Sequence, residues 1–177
     1  MTVLHVNGRE VDVAHAPHET LAQVLNKRLG LIGVRISCEE GECGSCTILM
    51  DGEPVPACMV LAAQAEDKEL LTIEGLGRRE DLHPIQRAFI EEHGFQCGFC
   101  SPGFILSTKA LLDSNPHPER DQIAAALSGH ICRCGSYPKI MHAVLRAAEL
   151  LEAEGNDAGD EEIVDHRQGD PPERCAG

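Results

Sequence analysis

The 177-residue sequence predicts an α+β protein in two parts, a small mixed sheet with one helix followed by a four-helix unit. Three observations carry this. Apolar residues alternate through the opening segment, they recur at helical spacing beyond Gly75, and the intervening "EGLGRRED" has the glycine and charge content of a linker.

Taken in order, Leu4 and Val6, then Val11 and Val13, lie on one side of a strand pair whose tight turn is Asn7-Gly8. Thr20 and Gln23 form a capping box for a helix carrying Leu21, Val24, Leu25 and Leu29, closed by Gly30. A short strand near Ile48, a turn at Asp51-Gly52, a brief return strand and a strand near Leu70 to Ile73 complete the sheet. In the helical part Ile85, Ala88 and Phe89 share one face. Pro102 opens a second helix with Ser101 as its cap, and Ile123 and Leu127 mark a third. Ile140, Val144, Ala147, Ala148 and Leu151 line the fourth. The expected division is 1–76 for the sheet domain, 79–151 for the helical domain and 152–177 for a tail. Arg78 and Arg79 read as linker charge.

Lys and Arg number 15 against 29 Asp and Glu, a net charge of -14, and only five residues are aromatic. That balance repels phosphate backbones and offers little for base stacking, which sets nucleic acid aside. Nine of the acids fall in the tail against Arg167 and Arg174, so residues 152–177 are expected to be disordered or draped over a partner. No apolar run has the length of a membrane span, and the first residues resemble a hairpin rather than a signal peptide. The expectation is a cytoplasmic protein, in which nine cysteines are metal ligands or redox groups rather than disulfides.

Eight of those cysteines form two quartets. Cys38, Cys43, Cys46 and Cys58 open with C-x4-C-x2-C, the plant-type 2Fe-2S spacing, and Gly41 and Gly44 let the loop curl so that backbone N–H groups face the sulfurs. A structural zinc site also takes four thiolates but more often pairs them as two C-x2-C knuckles. Cys97, Cys100, Cys132 and Cys134 combine C-x2-C with C-x-C, a spacing open to zinc or iron. Position favours a cluster here, because Cys100 and Cys134 each precede a helix start, where partial positive charge favours an anionic centre. Cys175 stands alone as a free thiol.

The segments "SCEEGECGSCTILMDGEPVPAC", "HPIQRAFIEEHGFQCGFCSPG" and "LSGHICRCGSYPKI" closely resemble the small iron-sulfur subunit of molybdenum hydroxylases, the group of xanthine dehydrogenase, aldehyde oxidoreductase and aerobic carbon monoxide dehydrogenase. The resemblance runs from about residue 2 to 150. It implies a β-grasp ferredoxin-like domain with one 2Fe-2S cluster, then a four-helix domain with a second that lies nearer the molybdenum cofactor. By motif position it also implies that Gln96 and Cys134 adjoin the pterin. The implied partners are a large molybdenum-binding subunit and a medium FAD-binding subunit in a hetero-oligomer, the ferredoxin-like cluster passing electrons outward.

Against the family pattern, His130 replaces a common Asn and Gly135-Ser136-Tyr137 replaces Thr-Gly-Tyr. His130 is expected to make local hydrogen bonds. Glu39, Glu40 and Glu42 beside the first quartet form either a docking surface or a solvated loop, and Arg133 either offsets cluster charge or reaches a partner. The chain lacks a nucleophile–base pair or phosphate loop of its own. The expected function is therefore an electron-transfer subunit of an oxidoreductase complex, with a free-standing two-cluster ferredoxin and a zinc-stabilised interaction module as alternatives.

Overall fold

The computed structural model describes residues 1–78 and 80–157. Arg79, Cys175 and most of the acidic tail lie outside the described residues. The first half is a five-stranded mixed sheet built from β1 (Thr2–Val6), β2 (Arg9–Val13), β3 (Thr47–Met50), β4 (Glu53–Pro56) and β5 (Glu69–Leu71), in the order β2-β1-β5-β3-β4. β1 and β5 run parallel and the other neighbours antiparallel. Asn7 and Gly8 both take positive φ, 53° and 72°, the turn that matches strand twist in a two-residue hairpin. Pro54 and Pro56 are accommodated because β4 is an edge strand, where a missing N–H costs no ladder bond.

The capping box at Thr20 and Gln23 starts α1 (Leu21–Gln23), which widens into a π turn over Val24–Arg28 before Gly30. Leu21, Val24 and Leu25 are fully buried with Leu4, Ile48 and Leu70 in the sheet domain's core. After Leu71 the expected strand gives way. The Asn7 Oδ1 accepts the Thr72 N–H at 2.8 Å, so the ladder ends and Ile73 opens a short helix, α2 (Ile73–Leu76), instead of prolonging β5. Glu74 ties this corner to the α1–β3 loop by accepting from the Gly33 N–H at 2.7 Å and from the Thr72 hydroxyl.

The second half holds α3 (Pro84–Glu91), α4 (Ser101–Ser114), α5 (Arg120–Ala126) and α6 (Tyr137–Asp157) around a separate core of Ile85, Ala88, Phe89, Phe104, Ile123, Ile140, Val144 and Ala147. α6 runs six residues beyond Leu151. Glu152, Ala153 and Glu154 are good helix formers, and Glu154 pairs with Arg87 on α3. Ser101 is the first residue of α4 rather than its cap. Cys100 occupies the cap position in αR geometry, which a capping side chain does not adopt, and the Ser101 hydroxyl is buried without a partner.

Phe89 is fully buried at the centre of the helical core. Phe89→Ala is expected to cost about 3–5 kcal/mol, read as a shift in the urea unfolding midpoint. A loss under about 1 kcal/mol would mean that the helices do not close on this side chain.

Candidate metal centres

Each quartet is gathered from a loop and an element that the fold holds against it. In the sheet domain Cys38, Cys43 and Cys46 lie on the loop that leads into β3, and Cys58 lies in a 3₁₀ turn directly after β4. The β3–β4 pairing, with Thr47 opposite Pro56, brings Cys58 back to Cys46. The loop can curl because Gly44 sits at φ 67°, where an L side chain is strained. In the helical domain Cys97 and Cys100 precede α4 while Cys132 and Cys134 precede α6.

The thiols meet two by two. Cys38 is beside Cys43 and Cys46 beside Cys58; Cys97 is beside Cys134 and Cys100 beside Cys132. Among the described residues no three His, Cys, Asp or Glu side chains group as the ligands of a single metal ion. Two facing pairs are the donor arrangement that a dinuclear iron core requires, two thiolates to each iron. Each centre has an inner and an outer pair. Cys46, Cys58 and Cys132 are buried, Cys38, Cys43 and Cys100 half-buried, and Cys97 and Cys134 exposed.

The electrostatics follow that division in the sheet domain, where Cys38 is lowered and Cys46 raised, but cut across it in the helical domain, where each pair holds one lowered thiol, Cys97 or Cys132, and one raised, Cys134 or Cys100. Backbone N–H donation, led by Glu40 at 3.5 Å, lowers the Cys38 thiol to about 7, and donation from Phe99 lowers Cys97. Burial pushes Cys46 and Cys100 up to about 12. Burial opposes ionisation of Cys132 most strongly, but the Ser136 N–H, 3.4 Å from its sulfur, together with the Cys100 thiol and the Cys134 amide, outweighs it and lowers that thiol. This places the first peptide groups before α6 in the role foreseen for a helix start beside an anionic centre.

The two loops touch. The Ile131 N–H donates to the Cys43 carbonyl at 3.1 Å, so one peptide hydrogen bond links a residue of the first quartet to the neighbour of Cys132. The Arg35 guanidinium lies 5.9 Å over the Phe99 ring, between Cys97 and Cys100. Tyr137 accepts the Cys132 N–H at 2.9 Å. None of these three contacts was read from the sequence. A lone Tyr at the start of α6 was the only local signal for the last of them.

His130 is buried and hydrogen-bonds as expected, but not locally: its Nε2 lies 3.1 Å from Ser107 Oγ on α4. Gln96 and Arg133 are exposed next to the outer pair of the second quartet, and Glu39 and Glu40 are exposed beside the first, with Glu42 also at the loop surface.

Comparison with known proteins agrees with this geometry. Residues 4–72 match the "2Fe-2S iron-sulfur cluster binding domain" family and residues 72–145 the "[2Fe-2S] binding domain" family. The nicotinate dehydrogenase small FeS subunit of Eubacterium barkeri is 42% identical over 82% of this chain and 93% of its own. The chain belongs to the small iron-sulfur subunits of the molybdenum hydroxylases. Another relative, the nicotine 6-hydroxylase small subunit of Paenarthrobacter nicotinovorans, is 46% identical over 81% of this chain and 87% of its own. Quinoline 2-oxidoreductase from Pseudomonas putida 86 superposes with a TM-score of 0.82 at 39% identity, covering 86% of this chain and 95% of that one. The aldehyde oxidoreductase of Desulfovibrio desulfuricans ATCC 27774 also superposes at 0.82, with 41% identity over 86% of this chain but only 17% of that longer polypeptide. This chain is thus an electron-transfer component of an oxidoreductase hetero-oligomer, with two 2Fe-2S-binding domains in the α+β arrangement that the sequence predicts. No helix among the described residues is long and apolar enough to cross a membrane.

In protein stripped of iron by chelation, iodoacetamide at pH 7 is expected to label Cys38 well before Cys46 or Cys100, since the thiolate is the nucleophile. Peptide mass mapping over time reads the order, and faster labelling at Cys46 would contradict the inner and outer division.

Proposed function

We propose that this chain relays single electrons from a molybdopterin centre on a large partner subunit, through the helical domain and then the sheet domain, to a flavin subunit. The observation that carries this reading is the pairing of two donor quartets whose loops are joined by the Cys43–Ile131 hydrogen bond. The ligands are Cys38, Cys43, Cys46 and Cys58 in the division 1–76, and Cys97, Cys100, Cys132 and Cys134 in the division 79–151, with 152–177 as the acidic tail. When bound, each 2Fe-2S cluster supplies one-electron redox chemistry, which none of the chain's own side chains offers.

The residues' part is to hold and insulate. Cys46, Cys58 and Cys132 are buried among apolar side chains, which limits water access on the inner side of each centre. Backbone N–H groups of Glu40 and Ser136 donate to sulfur and stabilise the thiolate form. Exposed Cys97 and Cys134 form the outward edge of the helical centre. Around them Gln96 is exposed together with the large apolar residues Phe95, Phe99, Ile131 and Tyr137, which suits a surface covered by the molybdenum subunit. On this reading Gln96 hydrogen-bonds the pterin and Cys134 adjoins it, and the assembly works in the cytoplasm.

The deciding experiment is EPR of the dithionite-reduced native complex, with iron, molybdenum and zinc measured on the same sample. Two distinct 2Fe-2S signals with stoichiometric molybdenum are expected. Cys58→Ser should remove one signal and Cys97→Ser the other, each leaving its counterpart in place. A single signal, or zinc in the second quartet, would sink the relay. Gln96→Ala should keep both signals but slow their reduction by the molybdenum subunit's substrate on the order of tenfold or more, the loss of one hydrogen bond to a charged or polar group.

A further inference from the structure

The seam between the two cysteine loops is made of backbone in near contact. A Cβ placed on Gly103, in the first turn of α4, would stand 2.3 Å from the Gly44 carbonyl oxygen. One on Gly44 would stand 2.6 Å from the Gly129 carbonyl oxygen and 2.9 Å from ring atoms of His130. Gly44 lies between Cys43 and Cys46, and Gly103 three residues after Cys100. His130 fills the space that these glycines leave. Its ring lies 4.9 Å from the Phe104 ring, centroid to centroid, while Nε2 reaches Ser107 one turn further along α4. Nδ1 is buried with no hydrogen-bond partner. The next residue, Ile131, supplies the N–H that binds the Cys43 carbonyl.

We infer that His130 is a positioning residue: wedged between Gly44 of the first loop and Gly103, Phe104 and Ser107 of α4, it sets the separation of the two metal centres. The inference rests on the two-cluster reading above. Three rigid parts converge on the imidazole, and each is attached within a few residues to a ligand cysteine. Close-packed surroundings transmit a displacement at such a point instead of absorbing it. An imidazole with one nitrogen bonded and the other idle contributes through its shape and its single tether to Ser107. Beside the ring, the Cys43–Ile131 hydrogen bond, the Arg35–Phe99 contact and the close backbone approach of Gly44 to Gly103 also join the two halves at this seam.

The dipolar part of the magnetic interaction between two reduced clusters falls with the cube of their separation and varies with their relative orientation, so it reports how the centres are placed without reference to turnover. In the native complex, both clusters reduced, EPR at low temperature should show signals split by this interaction. His130→Ala is expected to retain the iron of both clusters and both signals but to lose or shift the splitting. His130→Gln, whose amide nitrogen reaches the position of Nε2, should restore it. An unchanged splitting in His130→Ala overturns the inference. Where His130→Ala fails to hold iron, Ser107→Ala, which removes the ring's hydrogen bond to α4 and leaves its contacts with Gly103 and Phe104 in place, decides the matter. A shifted splitting supports the inference, and one identical to native overturns it. Native protein without two 2Fe-2S signals would instead overturn the reading on which the inference rests.

Discussion

Backbone, not side chain, makes the closest approach between the halves of this molecule. Gly44 and Gly103 are near enough that neither could carry a methyl group without something moving. This single constraint orders the rest. It brings the loop before β3 against the start of α4, lets the Ile131 amide reach the Cys43 carbonyl, and leaves a slot of the width that His130 occupies. Both halves have their own apolar cores, so each could be imagined as a separate body. It is the seam that turns two cysteine quartets into one device.

Within each centre the physical theme is asymmetry. One pair of thiols is more deeply buried than the other; burial disfavours the thiolate at Cys46 and Cys100, while amide N–H groups favour it at Cys38, Cys97 and Cys132. If these thiols ligate iron as proposed, binding has to recover the cost of ionising Cys46 and Cys100. The return is a centre whose inner side is dry and whose outer side can be approached. The outer pairs differ in degree: Cys38 and Cys43 are half-buried, while Cys97 and Cys134 are exposed among apolar residues that a partner would cover. That difference fits a helical centre completed by another subunit and a sheet-domain centre enclosed mainly by its own loop.

Much of this was legible in the sequence, and the reasons are local. The Asn7-Gly8 hairpin, the Thr20–Gln23 capping box and the apolar faces of α3 and α6 depend on residues a few positions apart. The cysteine spacing is local too, and it names the chemistry because thiolates at those intervals suit a dinuclear core. Where local reading erred, a contact from far along the chain was responsible. Asn7 ends β5 by taking the Thr72 amide, and Arg87 meets the extension of α6 through Glu154. The Ser101 cap is the exception, a local miss: Cys100 itself takes the cap position, in αR geometry.

The sequence by itself determined the two-part α+β architecture, the two quartets and the class of redox chemistry, because period, turn residues and ligand spacing are short-range properties of the chain. Only the tertiary structure decided which thiols face each other, which lie inside, and how the two loops meet. Pairing of Cys46 with Cys58 depends on the β3–β4 register, and pairing of Cys100 with Cys132 on how α4, α5 and α6 close around Phe104 and Ile123. The role of His130 is of the same kind. Its neighbours Gly44 and Ser107 are far away in sequence, and only the packing of one half on the other brings them to it.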